Sequence, residues 1–352
     1  MRLFDEQGWP NFSEEDGIFS TGANIIFIWG GRGTGKTYTV LKKMIEQQEH
    51  FLFLRRTPGQ AETITAGAEM SPFTPLNIDN DWNYMPFKIP KASCLYRVGN
   101  ATEKTETGAW IEPEDCRGVI SSVVTLGRTR GFSSPKINYI ILDEYQKDDL
   151  DYYRKGEGVA LANLYETVNR NREFQGKQPC KLLCMSNAVG MANPYFLQWD
   201  IVDIVDEMVG TNRRWRMLPD RGILLVDLAD SPIAAMKKDT AIFKSLAGTD
   251  FYRSALNNQY AAEERSKTAS RKLNLYVPLV AVGRLCIYKA KSGQEYYITQ
   301  HLSGSPEQYG TGHYDLARFR ARYKPLYMAY MARKIVFERY TDEIYFRQLW
   351  EA

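Results

Sequence analysis

The eight residues Gly30-Gly31-Arg32-Gly33-Thr34-Gly35-Lys36-Thr37 constrain this chain more than any other stretch. They fit the spacing G-x-x-x-x-G-K-[ST], and they lie between the apolar, β-branched run Asn24 to Trp29 and a helix predicted over Lys36 to Gln48. In that strand–loop–helix setting the glycines let the backbone wrap. Its N–H groups and the positive end of the helix then face a phosphate chain. Lys36 is placed to reach the β- and γ-phosphates of ATP. The Thr37 hydroxyl is placed to ligate Mg²⁺, an ion that takes oxygen ligands in near-octahedral geometry.

The rest of the chain alternates in the same way. Further strands are predicted at Phe51 to Leu54, Cys94 to Val98, Val119 to Leu126, Ile137 to Leu142, Lys181 to Met185 and Ile223 to Leu228, with a helix over Leu161 to Arg172. Strands separated by helices imply a parallel sheet covered on both faces, an α/β nucleotide-binding architecture. After Asp230 the texture changes. Ser231-Pro232 opens a polar helical stretch to about Lys267, Lys272 to Thr299 is strand-rich, and the chain from Tyr314 onward is helical in pattern. The expected organisation is an ATPase domain over 1–229, a helical linker over 230–268 and a second domain over 269–352. Lys and Arg number 45 against 42 Asp and Glu, so attraction to nucleic acid must come from local patches rather than net charge. No apolar run reaches membrane-helix length, and Met1 to Asp16 is acidic and polar, so a soluble intracellular protein is expected. Five cysteines without nearby histidines argue against a disulfide framework or a zinc site, and Cys180 and Cys184 suit a buried strand.

Ile137-Asn138-Tyr139-Ile140-Ile141-Leu142-Asp143-Glu144 ends an apolar run in two carboxylates, at the strand end where open parallel sheets bind ligands. Asp143 is placed to hold the Mg²⁺ shell and Glu144 to orient and deprotonate an attacking water, which implies hydrolysis rather than a passive switch. Asp148, Asp149 and Asp151 read as surface acids. Ser186 and Asn187 close the strand before them and suit sensing of the γ-phosphate or positioning of water, although a strand-to-turn role fits the same residues. Phosphoryl transfer spreads charge over the equatorial oxygens, so a cation is needed. The candidates are Arg32, the pair Arg128 and Arg130, and the pair Arg170 and Arg172; spacing alone does not choose among them.

Several segments recur together in one family. They are the loop with its internal Arg32, Phe51-Leu52-Phe53-Leu54-Arg55-Arg56, Leu142-Asp143-Glu144-Tyr145, Val168-Asn169-Arg170-Asn171-Arg172-Glu173, Cys184-Met185-Ser186-Asn187-Ala188-Val189 and Asn193-Pro194-Tyr195-Phe196. In this the chain resembles the DNA-packaging ATPases of small podoviruses with protein-primed genomes, the Picovirinae, which are relatives of the large terminase subunits of other tailed phages. The resemblance implies a P-loop NTPase of the ASCE type with a mainly parallel central sheet, followed by a smaller C-terminal α+β domain like a vestigial nuclease. It implies an ATP- and Mg²⁺-dependent motor that forms a homo-oligomeric ring, pentameric in the family, at the portal vertex of an empty capsid and drives double-stranded DNA inward. Its implied partners are the DNA, prohead RNA, the portal protein and the capsid. Its implied place is the host cytoplasm, transiently at the portal, with no membrane involved. The resemblance also implies that Arg170 is a trans-acting arginine finger and that Arg130 is a second basic residue acting across the subunit interface. Relatives can carry Lys at the latter position.

In larger terminases the C-terminal domain is a nuclease that holds metal ions with clustered carboxylates. Here the acids after Ala269 are scattered as Glu295, Glu307, Asp315, Glu338, Asp342, Glu343 and Glu351, with none from Leu273 to Ile287, so no DNA cleavage is expected. Arg318, Arg320, Arg322, Lys324, Arg333, Lys334 and Arg339 are interleaved with Tyr314, Phe319, Tyr323 and Tyr340. That pattern suits a grip on prohead RNA or the portal, and equally a solvated helix face whose aromatics pack inward. Two rival functions are a helicase, because Asp143-Glu144-Tyr145-Gln146 is similar to a superfamily-one motif, and a nucleotide-gated capsid assembly factor. The stretch after Asp230 is too short for the second motor domain of a helicase.

Overall fold

In the computed structural model the described residues are 1–101, 103–105, 108–110, 116–127, 136–147, 151–187, 190–237, 239–249 and 268–351. The predicted apolar runs pair side by side within the first of two units, Met1–Ala261; the second is Ala262–Ala352. Strands β1 (Ile25–Trp29), β2 (Phe51–Arg55), β3 (Tyr84–Lys88), β4 (Tyr96–Asn100), β5 (Glu103–Thr105), β6 (Gly108–Trp110), β7 (Cys116–Ser122), β8 (Tyr139–Asp143), β9 (Lys181–Ser186), β10 (Trp215–Leu218) and β11 (Ile223–Asp227) belong to the first unit. Nine of them form one sheet in the order β10-β11-β1-β9-β8-β2-β7-β4-β3, while β5 and β6 form a separate ribbon. From β11 to β7 every pairing is parallel; β10, β4 and β3 add antiparallel edges.

Helices α1 (Lys36–Glu46), α2 (Pro58–Thr63), α3 (Thr74–Asn80), α4 (Val123–Leu126), α5 (Glu157–Asn169), α6 (Pro194–Gln198), α7 (Val202–Gly210), α8 (Pro232–Lys237) and α9 (Ala241–Ser245) make the crossovers and flanks. Alternation along the strands sorts the side chains. Ile26, Ile28, Phe53, Ile141 and Leu183 share a buried cluster with Val40, Leu41, Met44 and Ile45 of α1. Each such buried side chain contributes about 1.5–3 kcal/mol relative to exposure.

Three differences from expectation have local causes. The strand predicted over Val119 to Leu126 stops at Ser122, whose hydroxyl accepts from the Thr125 N–H at 3.0 Å and caps a helical turn. The helix predicted over Leu161 to Arg172 runs instead from Glu157 to Asn169, and Arg170 leaves it in the left-handed region at φ 42°. Asp151 is not simply a surface acid, because it accepts from the buried Arg56 guanidinium at 2.8 Å. Asp148 and Asp149 lie outside the described residues. So does 250–267, the greater part of the predicted polar helical stretch; α8 and α9 cover its start.

The second unit holds a five-stranded sheet, β15-β12-β13-β14-β16, from β12 (Tyr276–Val282), β13 (Leu285–Ala290), β14 (Tyr296–Thr299), β15 (Glu307–Tyr309) and β16 (Ile335–Phe337). Two helices, His313–Met331 and Tyr340–Glu351, accompany it; the first is kinked at Tyr323, two residues before Pro325. Phe319 is fully buried and stacks on Tyr323. Several basic residues of this segment are held internally. Arg322 pairs with Glu307 at 2.9 Å, Arg320 donates to the Leu349 carbonyl at 2.6 Å, and Arg339 lies 3.5 Å from Asp342. Among the described residues no helix is long and apolar enough to cross a membrane. All five cysteines are free, and Cys180 and Cys184 are buried, the latter within β9.

Candidate nucleotide site

Strand register assembles the site. Trp29 is level with Ser186, Asp143 with Met185, and Leu54 with Leu142, so the residues that follow β1, β9, β8 and β2 emerge at one sheet edge. The glycine loop leaves β1 there. Gly33 and Gly35 have φ of 62° and 83°, values that a side chain resists, and Gly35 caps α1. The Gly30 N–H is tied to the Ser186 carbonyl at 3.3 Å.

Lys36 is folded back into the loop. Its ammonium donates to the carbonyls of Gly30 (3.1 Å) and Gly31 (2.9 Å), to Thr34 Oγ1 (3.3 Å) and to Asn187 Oδ1 (3.3 Å). Burial lowers its pKa to about 8, against the raising fields of Asp143 and Glu144. Thr34, itself buried, donates to the Gly31 carbonyl at 3.0 Å. Thr37 Oγ1 donates to Asp143, at 3.0 and 3.1 Å from its two oxygens. Asp143 is only 4% exposed, and that burial pushes its pKa up against the pull of Arg55.

Glu144 follows in the left-handed region, φ 55°, a conformation costing a non-glycine residue about 1–3 kcal/mol and typical of functional sites. Its side chain is about half exposed and shares the Arg55 guanidinium with Asp143. Asn187 Nδ2 donates to Glu144 Oε1 at 3.3 Å, so Asn187 touches both Lys36 and Glu144.

Arg55, read above only as part of a family segment, completes the cluster. Its guanidinium sits 3.1 Å from Asp143 Oδ2 and 2.6 Å from Glu144 Oε2. An arginine directly closing an apolar strand at the ligand edge was the available signal. Trp9 and Lys237 were also missed. The Trp9 ring lies where a side chain on Gly35 would go and stacks with Tyr38 at 6.1 Å, while Lys237 donates to the Arg32 carbonyl.

The predicted residues therefore divide. The structure brings together Gly30, Gly31, Gly33, Thr34, Gly35, Lys36, Thr37, Asp143, Glu144 and Asn187. Arg32 is in the loop but exposed. Arg170 is not at this site: it is exposed at the end of α5, on the side where β9 begins, the opposite edge of the sheet. Arg172 is buried and donates to Asn138 Oδ1 at 3.1 Å, so it has a structural post in this chain. Arg128 and Arg130 lie outside the described residues, as do Ala188 and Val189.

Comparison with known proteins gives one consistent result. The family model for the podovirus DNA encapsidation protein (Gp16) matches residues 121–279. The DNA packaging protein of Bacillus phage PZA is 26% identical over 255 residues, 69% of this chain and 66% of that protein. The chain thus spans just under two thirds of that relative's length. Two solved structures share the fold. The Phi-28 gp11 DNA packaging motor superposes with a TM-score of 0.61 at 16% identity over 95% of both chains. The bacteriophage Phi-29 viral genome packaging motor assembly gives 0.61 at 19% identity over 99% of both. By sequence the chain is similar to the DNA packaging protein of Bacillus phage PZA and, over residues 121–279, to the podovirus DNA encapsidation protein (Gp16) family.

Proposed function

We propose that this chain is an ATP-hydrolysing motor that drives double-stranded viral DNA into a preformed capsid, as a ring of copies at the portal vertex. The observation that carries the reading is the meeting of Lys36, Thr37, Asp143, Glu144 and Asn187 at one sheet edge, from segments more than a hundred residues apart. That is the set a P-loop NTPase of the ASCE type needs. Similarity to DNA packaging proteins supplies the task.

The loop N–H groups and Lys36 hold the phosphates, with the ammonium exchanging its carbonyl partners for phosphate oxygens. The Thr37 hydroxyl and the Asp143 carboxylate are hard oxygen ligands in mutual contact, a donor set that fits Mg²⁺. Bound there, the ion neutralises charge on the phosphate oxygens. Glu144 takes the proton of the attacking water at its carboxylate, after giving up Arg55 or Asn187, which hold both its oxygens in this arrangement. Arg170 cannot serve its own site from the opposite edge, which supports its acting on the site of an adjacent copy. Arg130 is assigned to the same interface by resemblance.

The motor domain is assigned to 1–229, a linker to 230–268, and contacts with prohead RNA or the portal to 269–352. No DNA cleavage is assigned to the C-terminal domain: Glu338 and Glu343 there accept hydrogen bonds from Thr299 and Tyr330. The place of action is the host cytoplasm, at the capsid portal. The test is ATP turnover with and without duplex DNA and empty capsids. Glu144→Gln should keep ATP binding and lose about 10²–10⁴-fold in turnover; unchanged turnover would refute the assignment.

A further inference from the structure

At the far edge of the large sheet, where β2, β7 and β8 begin, a surface pocket of about 220 Å³ is lined by His50, Arg97, Arg117 and Lys136 over Phe51 and Ile137. Ile137 in its lining lies six residues back along the chain from Asp143, about 20 Å at strand rise. Four basic side chains therefore converge from a loop, two strands and a turn.

These cations differ from the ion-paired arginines of the molecule. Arg55, Arg56, Arg214, Arg216 and Arg322 each pair with a carboxylate. Among the described residues, the side chains of Arg97, Arg117 and Lys136 have no acidic partner and no hydrogen bond. Burial lowers the His50 pKa, and the fields of Arg117 and Lys136 lower it further, so the positive groups act on one another across the pocket. Among the described residues the acid that opposes them at His50 is Glu49, the last of the influences on it, and Glu49 accepts from Asn138 at 2.8 Å. Behind the pocket wall, Arg172 donates to the Ile137 carbonyl at 2.5 Å. Unpaired cations held this close repel one another, and an anion relieves the repulsion.

The chemistry of the lining selects the anion. Phe51 is fully buried and offers no ring face for stacking a base. Among the described residues the lining has no Asn or Gln to read adenine and no Asp or Glu to read cytosine. What remains is charge and guanidinium donors, which bind phosphate without regard to sequence.

We infer that this pocket binds the sugar–phosphate backbone of a nucleic acid. The inference deepens the motor reading, on which its choice of polymer rests, by naming residues that grip without reading sequence. It does not use the nucleotide site.

The test is equilibrium binding of the full-length protein to a duplex DNA and, separately, to a folded RNA, by fluorescence anisotropy between about 50 and 200 mM salt. Arg97→Gln, Arg117→Gln and Lys136→Gln are compared with the wild type. Each lost phosphate contact should flatten the log–log salt dependence by about 0.9 on duplex DNA, while ATP affinity is unchanged. Arg117→Lys keeps the charge and should keep the slope, which separates loss of a contact from loss of the fold. Flattening with DNA alone, RNA alone or both supports the site and identifies its occupant. Unaltered slopes for both polymers, or a change in ATP affinity instead, would overturn it. If the wild type binds DNA with a slope these variants leave alone, the pocket is wrong and the motor reading stands. If the wild type shows no DNA-stimulated turnover while the slopes flatten, the motor reading is wrong and the pocket stands.

Discussion

The two ends of the same sheet carry opposite electrostatic arrangements. At the end where β1, β8 and β9 finish, Lys36, Asp143, Glu144 and Arg55 lie within direct or one-residue reach and neutralise one another. At the end where β2, β7 and β8 begin, His50, Arg97, Arg117 and Lys136 converge, with no carboxylate among the described residues that line the pocket. The first end pairs its own charges within one chain and can receive a triphosphate only by trading internal partners. The second is complete only when an anion from outside arrives. Arg170 is also exposed on that second side. On the proposed function the two ends divide the labour: one holds the fuel, and the other faces neighbouring copies and polymer.

After the loss of turnover expected for Glu144→Gln, the next largest effect should come from the ion pair that anchors α5, the helix leading from one end to the other. Arg56 is fully buried, with Nε 3.0 Å from Glu157 Oε2, and Tyr195 donates to the same oxygen at 3.0 Å. Removing Arg56 leaves a buried carboxylate without its counterion. Arg56→Met should destabilise the fold by about 3–5 kcal/mol, and Arg56→Met with Glu157→Gln by clearly less. Urea denaturation measures both; equal losses would show that the pair does not act as a unit.

A smaller effect sharpens the account of the fuel end. The Lys36 pKa is lowered to about 8 in the unliganded site. Phosphate favours the ammonium, so binding takes up protons. ATP affinity should be level well below pH 8 and fall above it, approaching about tenfold per pH unit, until the higher pKa of the bound form is reached. Calorimetric titration from pH 7 to 9.5 reads this directly, and a flat profile in that range would contradict it. The smallest expected effect is the change in salt slope from the far-end cations.

Much of the fuel end was legible because its signals are local. Glycines at the turn positions, Lys36 and Thr37 at the helix start, and two acids closing an apolar run each declare themselves within eight residues. Asn187 was legible as a polar residue at the end of a buried strand. Arg55 was not, because its partners are 88 and 89 residues away and only register brings β2 beside β8. The edge strands β3 and β10 were missed for a related reason. Both are half exposed, and β3 contains Pro86, so neither shows the continuous apolar run of the central strands. At Val123-Val124-Thr125, β-branched residues suggested strand, and the cap from Ser122 decided for helix. The far-end pocket left no motif, since its basic side chains come from four separate segments.

The central claim is that one copy's fuel end is finished by the far side of the next. Mixing subunits measures it most directly. Lys36→Ala copies keep Arg170 and have no working loop; Arg170→Ala copies keep the loop and lack the guanidinium. Each alone should be inactive, and ATP turnover should reappear when the two are co-assembled. Absence of turnover in a mixture shown to co-assemble would contradict the claim.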